Sequence, residues 1–391
     1  MSKNDREHFR EYRDQTRVKH EIVRKYIPSF FHVLKNGQNN LIYIDGFAGR
    51  GTYDDSESGK YIEGSPLQAL QVIAGNSDLA SKVTSIFVEA DHENFSSLKQ
   101  AVDLFYSQSS HIRKPIVLHG TFADKITTLL DLVDHRNNSM APTFLFVDPC
   151  GVSGTSLQVI TRLLSNKGCE AFIFFNIDGI RRVCGLSKLS DSLVEVFGTK
   201  DRAEQLQQAF NKCSSPIERE STIVNFYQKA LTEEISNNIF ITPFAIEHEK
   251  SKRTSHYLIH VTKHQLGFKI MKDVMWKLGT SDEGTGDLGL IQASKYDGLP
   301  LFRPKWNLFK ESIIAGLQNG MLRASVFYED WVSRRDDCFA ETAYREALLE
   351  LEKEGRIVVL DKDGISPKPA EKRQKRKGKQ TLGKDYYIAS S

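Results

Sequence analysis

Between Thr16 and Leu34 the apolar residues Val18, Ile22, Val23, Tyr26, Ile27, Phe30, Phe31 and Leu34 recur at steps of three and four. That spacing places them on one face of an amphipathic helix. Short apolar runs and helix-period stretches then alternate. Strands are expected at Asn40–Ile44, Val83–Val88, Pro115–Leu118, Thr143–Val147 and Glu170–Asn176. Between them, helices are expected at Pro66–Ala74, Asn94–Phe105, Asp124–Val133 and Ser156–Leu164, the first with Ser65 as N-cap and Pro66 just inside. Strands alternating with helices of this length predict an α/β fold, a mostly parallel sheet with helices on both faces. Runs such as Phe144–Val147 and Ala171–Phe175 are apolar at every position, as central parallel strands are. Asn238–Ile241 and His256–Val261 are two further strand candidates, followed by a helix through Phe268–Trp276.

The pattern changes after a stretch rich in Gly, Ser and Asp. The expected organisation is a first domain over residues 1–280, a linker over 281–304 and a small α+β domain over 305–391. In the last, helices are expected at Trp306–Gln318, Ser325–Arg334 and Cys338–Glu352. A strand at Arg356–Leu360, a turn at Asp361–Gly364 and a strand at Tyr386–Ile388 follow, which is the winged-helix plan with a charged wing.

Composition narrows the class. With 391 residues, 40% hydrophobic and 26% charged, the chain is long enough for two domains and excludes wholesale disorder or a fibrous structure. No apolar run approaches the ~20 residues of a membrane span. Met1–Arg17 is too charged for a signal peptide. Five dispersed cysteines without a CxxC pair argue against a zinc site or a disulfide framework, and a reduced, cytoplasmic location is expected. The net charge of +3 is unevenly placed: Lys368–Lys384 holds eight Lys/Arg and one acid, so the remaining residues sum to −4. A basic segment on a mildly acidic body suits contact with a polyanion, and it also suits a solvated loop.

The chemistry concentrates at strand ends. Asp45-Gly46-Phe47-Ala48-Gly49-Arg50-Gly51 follows the first strand, with glycines that let the backbone turn tightly against a ligand. No GK[ST] follows, so a nucleoside triphosphate loop is disfavoured, and Tyr53 to Tyr61 reads as a polar loop. Glu89 ends the second strand, where a carboxylate fork can bridge two ribose hydroxyls. His119 to Asp124 ends the third, where an aromatic or an acid could meet an adenine ring. Asp148-Pro149 ends the fourth, offering two acceptors for an exocyclic amine, with proline fixing the backbone. Asn176-Ile177-Asp178 is a further polar cluster that turn chemistry explains equally well. His256, His260 and His264 are spaced by four, but a β-rich segment would not gather them, so no metal site is expected.

The set DGFAGRG, EGSPLQAL, FVEAD, GTF, FVDPCG-VSG and HYLIHVTKHQLGFKIMKDVMWKL resembles the three-Cys-motif partner (TcmP) proteins over roughly residues 15 to 280. The resemblance implies a Rossmann-like S-adenosylmethionine-dependent methyltransferase fold, similar to adenine-N6 methyltransferases of large-subunit ribosomal RNA. It also implies a radical-SAM-related partner with a three-Cys motif, and a nucleic-acid substrate. By this resemblance Asp45, Gly46, Phe47, Gly49 and Gly51 would hold the methionine part of S-adenosylmethionine. Glu89 would take its ribose, Phe122 would flank its adenine, and Lys19 and His20 would help close the site. Asp148 and Pro149 fall on the amino-methyltransferase tetrad as catalytic residues, but Cys150-Gly151 stands where that tetrad has a proline and an aromatic. Lys372, Arg373, Lys375, Arg376, Lys377 and Lys379 would contact nucleic-acid backbone. A base-amine methyltransferase is therefore expected. A non-catalytic scaffold for the partner, a protein methyltransferase, and thiolate chemistry at Cys150 stand as alternatives.

Overall fold

The computed structural model describes residues 24–34, 37–55, 60–136, 138–236, 238–247, 254–280, 306–318, 320–333, 339–373, 375 and 381–391. They fall into two compact units, one up to Gly267 and one from Phe268 onward. The sequence pattern had carried the first domain on to residue 280.

The first unit opens with helix α1 over residues 24–34, within the span its periodicity predicts. Strand β1 (Leu41–Asp45) leads into the glycine loop. Strands β2 (Thr52–Asp55) and β3 (Lys60–Glu63) then pair as a small antiparallel hairpin where a polar loop was expected. Next come α2 (Ser65–Ala74), α3 (Ser77–Ala80), β4 (Val83–Glu89), α4 (His92–Gln108), β5 (Ile116–His119) and α5 (Phe122–His135). They are followed by β6 (Thr143–Val147), α6 (Leu157–Ser165) and β7 (Glu170–Phe175). Four helices that the hydrophobic pattern did not reveal follow: α7 (Ile177–Cys184), α8 (Asp191–Phe197), α9 (Lys200–Lys212) and α10 (Pro216–Ile235). Strands β8 (Phe240–Glu247) and β9 (Thr254–Thr262) complete the sheet, and α11 (Gln265–Thr280) runs across the division between the units.

The seven strands lie in the order β5-β4-β1-β6-β7-β9-β8. All pairings from β5 to β7 are parallel, whereas β9 is antiparallel to both β7 and β8. This is the α/β, mostly parallel architecture the alternation predicts. Every residue of β6 and β7 is buried, so both sheet faces are covered. On one face the aromatic side chains of Tyr43, Phe144 and Phe146 form a packed layer, with Tyr26 and Phe30 of α1 against Phe144. The chain steps outward from β1 to β4 and β5, then returns to place β6 on the other side of β1. That reversal opens a crevice at the carboxyl ends of β1 and β6, where such sheets take ligands.

The second unit contains α12 (Trp306–Leu317), β10 (Leu322–Arg323), α13 (Ala324–Glu329), a 3-10 turn at Trp331–Ser333 and α14 (Glu341–Lys353). Strands β11 (Ile357–Leu360) and β12 (Tyr387–Ser390) follow. Its sheet has three strands in the order β10-β12-β11, one more than the expected pair. Its core joins Phe309, Phe327, Tyr344 and Leu348 with Ile388 of the sheet.

Candidate functional site

Asp45 is the last residue of β1 and fully buried. Its Oδ1 accepts the Phe47 amide at 3.2 Å, and its Oδ2 accepts the Ser65 hydroxyl at 2.6 Å. Ser65 is therefore not the N-cap its sequence context suggests. Gly64 takes that position without a side-chain bond, and Ser65 is spent on the carboxylate. Burial is the main force on Asp45 and pushes its carboxyl up to about 7; the Ser65 and Phe47 bonds oppose this, and the charges of Asp148 and Glu89 add to it.

The loop after Asp45 is tied to its neighbours by backbone bonds. Gly46 N donates to Phe146 O at 2.9 Å, and Ala48 N to Val88 O at 2.9 Å. Gly49 has φ +64°, a region an L side chain rarely adopts, and its amide donates to Glu89 Oε2 at 2.8 Å. Glu89 Oε1 accepts the Asp91 amide at 2.7 Å. The Glu89 fork thus already clamps the loop to the start of α4, with one lone pair left on each oxygen for a ligand hydroxyl.

Phe122, at the start of α5, is brought to this loop as expected but is buried there. Its ring stacks on Phe47 with centroids 5.4 Å apart at 29°. A Cβ at Gly46 would lie 2.6 Å from Phe122 Cδ2. Gly46 is therefore required by the aromatic pair, in which Phe47 is half-buried.

Asp148 follows β6 directly. Asp45 is in register with Phe146, so Asp148 lies just past the carboxyl end of β6, beside the end of β1. Pro149 is buried and Cys150 exposed, the latter consistent with a loop thiol. Pro149 and Gly151 border a small depression walled by Phe174, Phe175 and Tyr227. Asn176 accepts the Gly179 amide at 2.8 Å and so caps α7, while Asp178 pairs with Arg181 at 2.8 Å. The Asn176–Asp178 cluster is accounted for by helix capping and an ion pair. The site thus joins Asp45, Glu89 and Asp148 at the ends of three neighbouring parallel strands. Asp45 is the buried member of the three, with a carboxyl that burial holds near half-ionised at neutral pH.

Two features escaped sequence reasoning. Tyr43, two residues before Asp45, has a fully buried hydroxyl without a hydrogen-bond partner. At the opposite, amino end of β7, Glu170 accepts Tyr26 at 2.6 Å and Thr262 at 2.7 Å, and lies 3.0 Å from His260 Nε2. His260 thus belongs to a buried structural network. The apolar run that encloses His260 in HYLIHV, buried from Tyr257 onward, was the available signal for it.

Lys19, His20, Arg376, Lys377 and Lys379 lie outside the described residues. Lys372 and Lys375 are exposed. Arg373 departs from the expectation of a backbone contact: its side chain is 1% exposed, and its guanidinium makes a two-pronged pair with Glu352 at 2.8 and 2.5 Å. It is a strut of the second unit. No helix among the described residues is long and apolar enough to cross a membrane.

No family model and no curated protein matches the chain. Solved structures similar to it include protein LPL1258 of Legionella pneumophila, 13% identical over 64% of this chain and 85% of that one, with a TM-score of 0.37. Another is an O-methyltransferase of Bacillus cereus in complex with SAH, 12% identical over 63% and 80% of the two chains, with a TM-score of 0.32. At scores of this size the fold rests on the strand order itself.

Proposed function

We propose that this chain is an S-adenosylmethionine-dependent methyltransferase acting on an exocyclic amine of a nucleic-acid base. The observation that carries the reading is the meeting of Asp45, Glu89 and Asp148 around the glycine loop, at the point where the strand order reverses. Asp45 suits the ammonium of the methionine moiety and Glu89 a ribose diol. The acidic residues favour the ammonium and the sulfonium of S-adenosylmethionine, and the sulfonium supplies the transferable methyl group. Asp148 and the Pro149 carbonyl would accept the two amine hydrogens and aim the nitrogen lone pair at that methyl, so the protein mainly contributes positioning. The resemblance to three-Cys-motif partner proteins supports a radical-SAM-related partner, a winged-helix role for the second unit and backbone contacts from the basic segment. The Cys150-Gly151 sequence leaves no aromatic in the tetrad to stack on a flipped base. That favours, as a second reading, a scaffold that binds cofactor without turnover.

Calorimetric titration with S-adenosylmethionine and S-adenosylhomocysteine tests the first step. Wild type should bind at micromolar levels, and Glu89→Ala should lose most of that affinity. Methyl transfer to RNA or DNA should then vanish in Asp148→Ala while cofactor binding survives. Transfer to protein alone would replace the acceptor, and binding without any transfer would leave the scaffold.

A further inference from the structure

Tyr43 lies in the middle of β1, an interior strand of the sheet, and exposes none of its surface. Its ring packs against Phe87 and Phe144, but its hydroxyl has no hydrogen-bond partner. Buried polar groups are rarely left unsatisfied, because the desolvation of the hydroxyl is then uncompensated. Replacing Tyr43 by phenylalanine would relieve that cost without altering shape, so the packing does not call for the oxygen.

The position of the hydroxyl suggests its use. Tyr43 and Asp45 are two residues apart on one strand and so share a sheet face. Tyr43 is in register with Phe144 and Asp45 with Phe146, and Asp148 follows the end of that neighbouring strand. Burial first, and then the charges of Asp45 and Asp148, raise the Tyr43 hydroxyl well above its ordinary range. The phenol therefore sits within electrostatic reach of both carboxylates. Two carboxylates repel each other, and a neutral hydroxyl beside them can accept a hydrogen bond without adding charge.

A primary ammonium offers three donors and is satisfied by three acceptors. Asp45 supplies carboxylate oxygens whose remaining lone pairs are open beyond the Phe47 and Ser65 bonds. We infer that the Tyr43 hydroxyl is an ammonium-positioning group of the crevice, completing with the two carboxyl oxygens of Asp45 the acceptor set for the α-amino group of the bound cofactor. This rests on the S-adenosylmethionine reading above, and extends it by naming the residue that selects the amino group.

The test compares wild type, Tyr43→Phe and Glu89→Ala by calorimetry with two probes: S-adenosylhomocysteine, and its analogue lacking the α-amino group. Tyr43→Phe should weaken S-adenosylhomocysteine about ten-fold or more, the usual worth of a hydrogen bond to a charged group, and should leave the des-amino analogue unchanged. The unliganded variant should melt no lower than wild type. Equal affinity of wild type and Tyr43→Phe for S-adenosylhomocysteine overturns the inference while leaving the cofactor reading intact. Equal losses for both probes, or a lowered melting point, overturn it in favour of a structural role. If wild type binds neither probe, the cofactor reading falls and this inference with it.

Discussion

At Asp45 function and stability oppose each other. A carboxylate whose ordinary value is 3.8 in the unfolded chain titrates near 7 in the folded one, chiefly because burial disfavours its charge. Below pH 4 both states hold the proton and nothing is lost. Between about pH 4 and 7 the unfolded chain ionises while the folded one resists, so stability falls as pH rises. Integrated over that window the loss is on the order of 4 kcal/mol at neutral pH. Asp45→Asn keeps the shape and removes the charge, so urea unfolding at pH 8 should show a gain of roughly 2–4 kcal/mol that disappears by pH 4. Parallel stability profiles for wild type and variant would show that Asp45 carries no such penalty. Under the proposed cofactor reading, the same titration governs ligand binding. An ammonium prefers the ionised carboxylate, so affinity for S-adenosylhomocysteine should climb about ten-fold per pH unit below 7 and level off above it. The climb should be absent in Asp45→Asn.

The elements whose residues bury an uninterrupted apolar run were legible from the chain. β6 and β7 were found to within a residue because both sheet faces are covered and every position must be apolar. The glycine loop was legible too, since Gly49 needs its positive φ and Gly46 its missing Cβ. The β2–β3 hairpin was not, because its polar strands are defined by pairing with each other, and local composition does not record that. Ser65 misled for a related reason: a serine before a helix has one usual role, and only the approach of Asp45 from a strand 20 residues away shows the other. Nor does sequence show that Tyr26 of α1 reaches Glu170, 144 residues on, at 2.6 Å. That bond fixes α1 to the sheet at the amino end of β7, joined by Thr262 and His260. Glu170→Ala would remove the acceptor shared by three buried polar groups and should cost about 3–5 kcal/mol, whereas Tyr26→Phe should cost only about 1–2 kcal/mol. Chemical denaturation measures both, and equal small losses would mean that water satisfies the cluster.

Across the whole molecule, charge is divided between an acidic body and a basic segment in the second unit, but proximity in sequence does not give these cations one role. Arg373 is buried against Glu352, whereas Lys372 and Lys375 beside it are exposed. A bidentate buried pair holds its shell together and is costly to break from one side, while an exposed lysine gains little from its neighbours and is available to a phosphate. The two kinds of residue should therefore separate in a salt titration of nucleic-acid binding. Lys372→Ala combined with Lys375→Ala should leave the thermal midpoint unchanged and lower the slope of log affinity against log salt by about 1 for each phosphate contact removed. Arg373→Ala should instead lower the thermal midpoint by several degrees, because it removes a buried guanidinium and leaves the half-buried Glu352 without its partner. If the lysine pair leaves the slope untouched, the basic segment is a solvated loop, and polyanion binding must be sought on another surface of the chain.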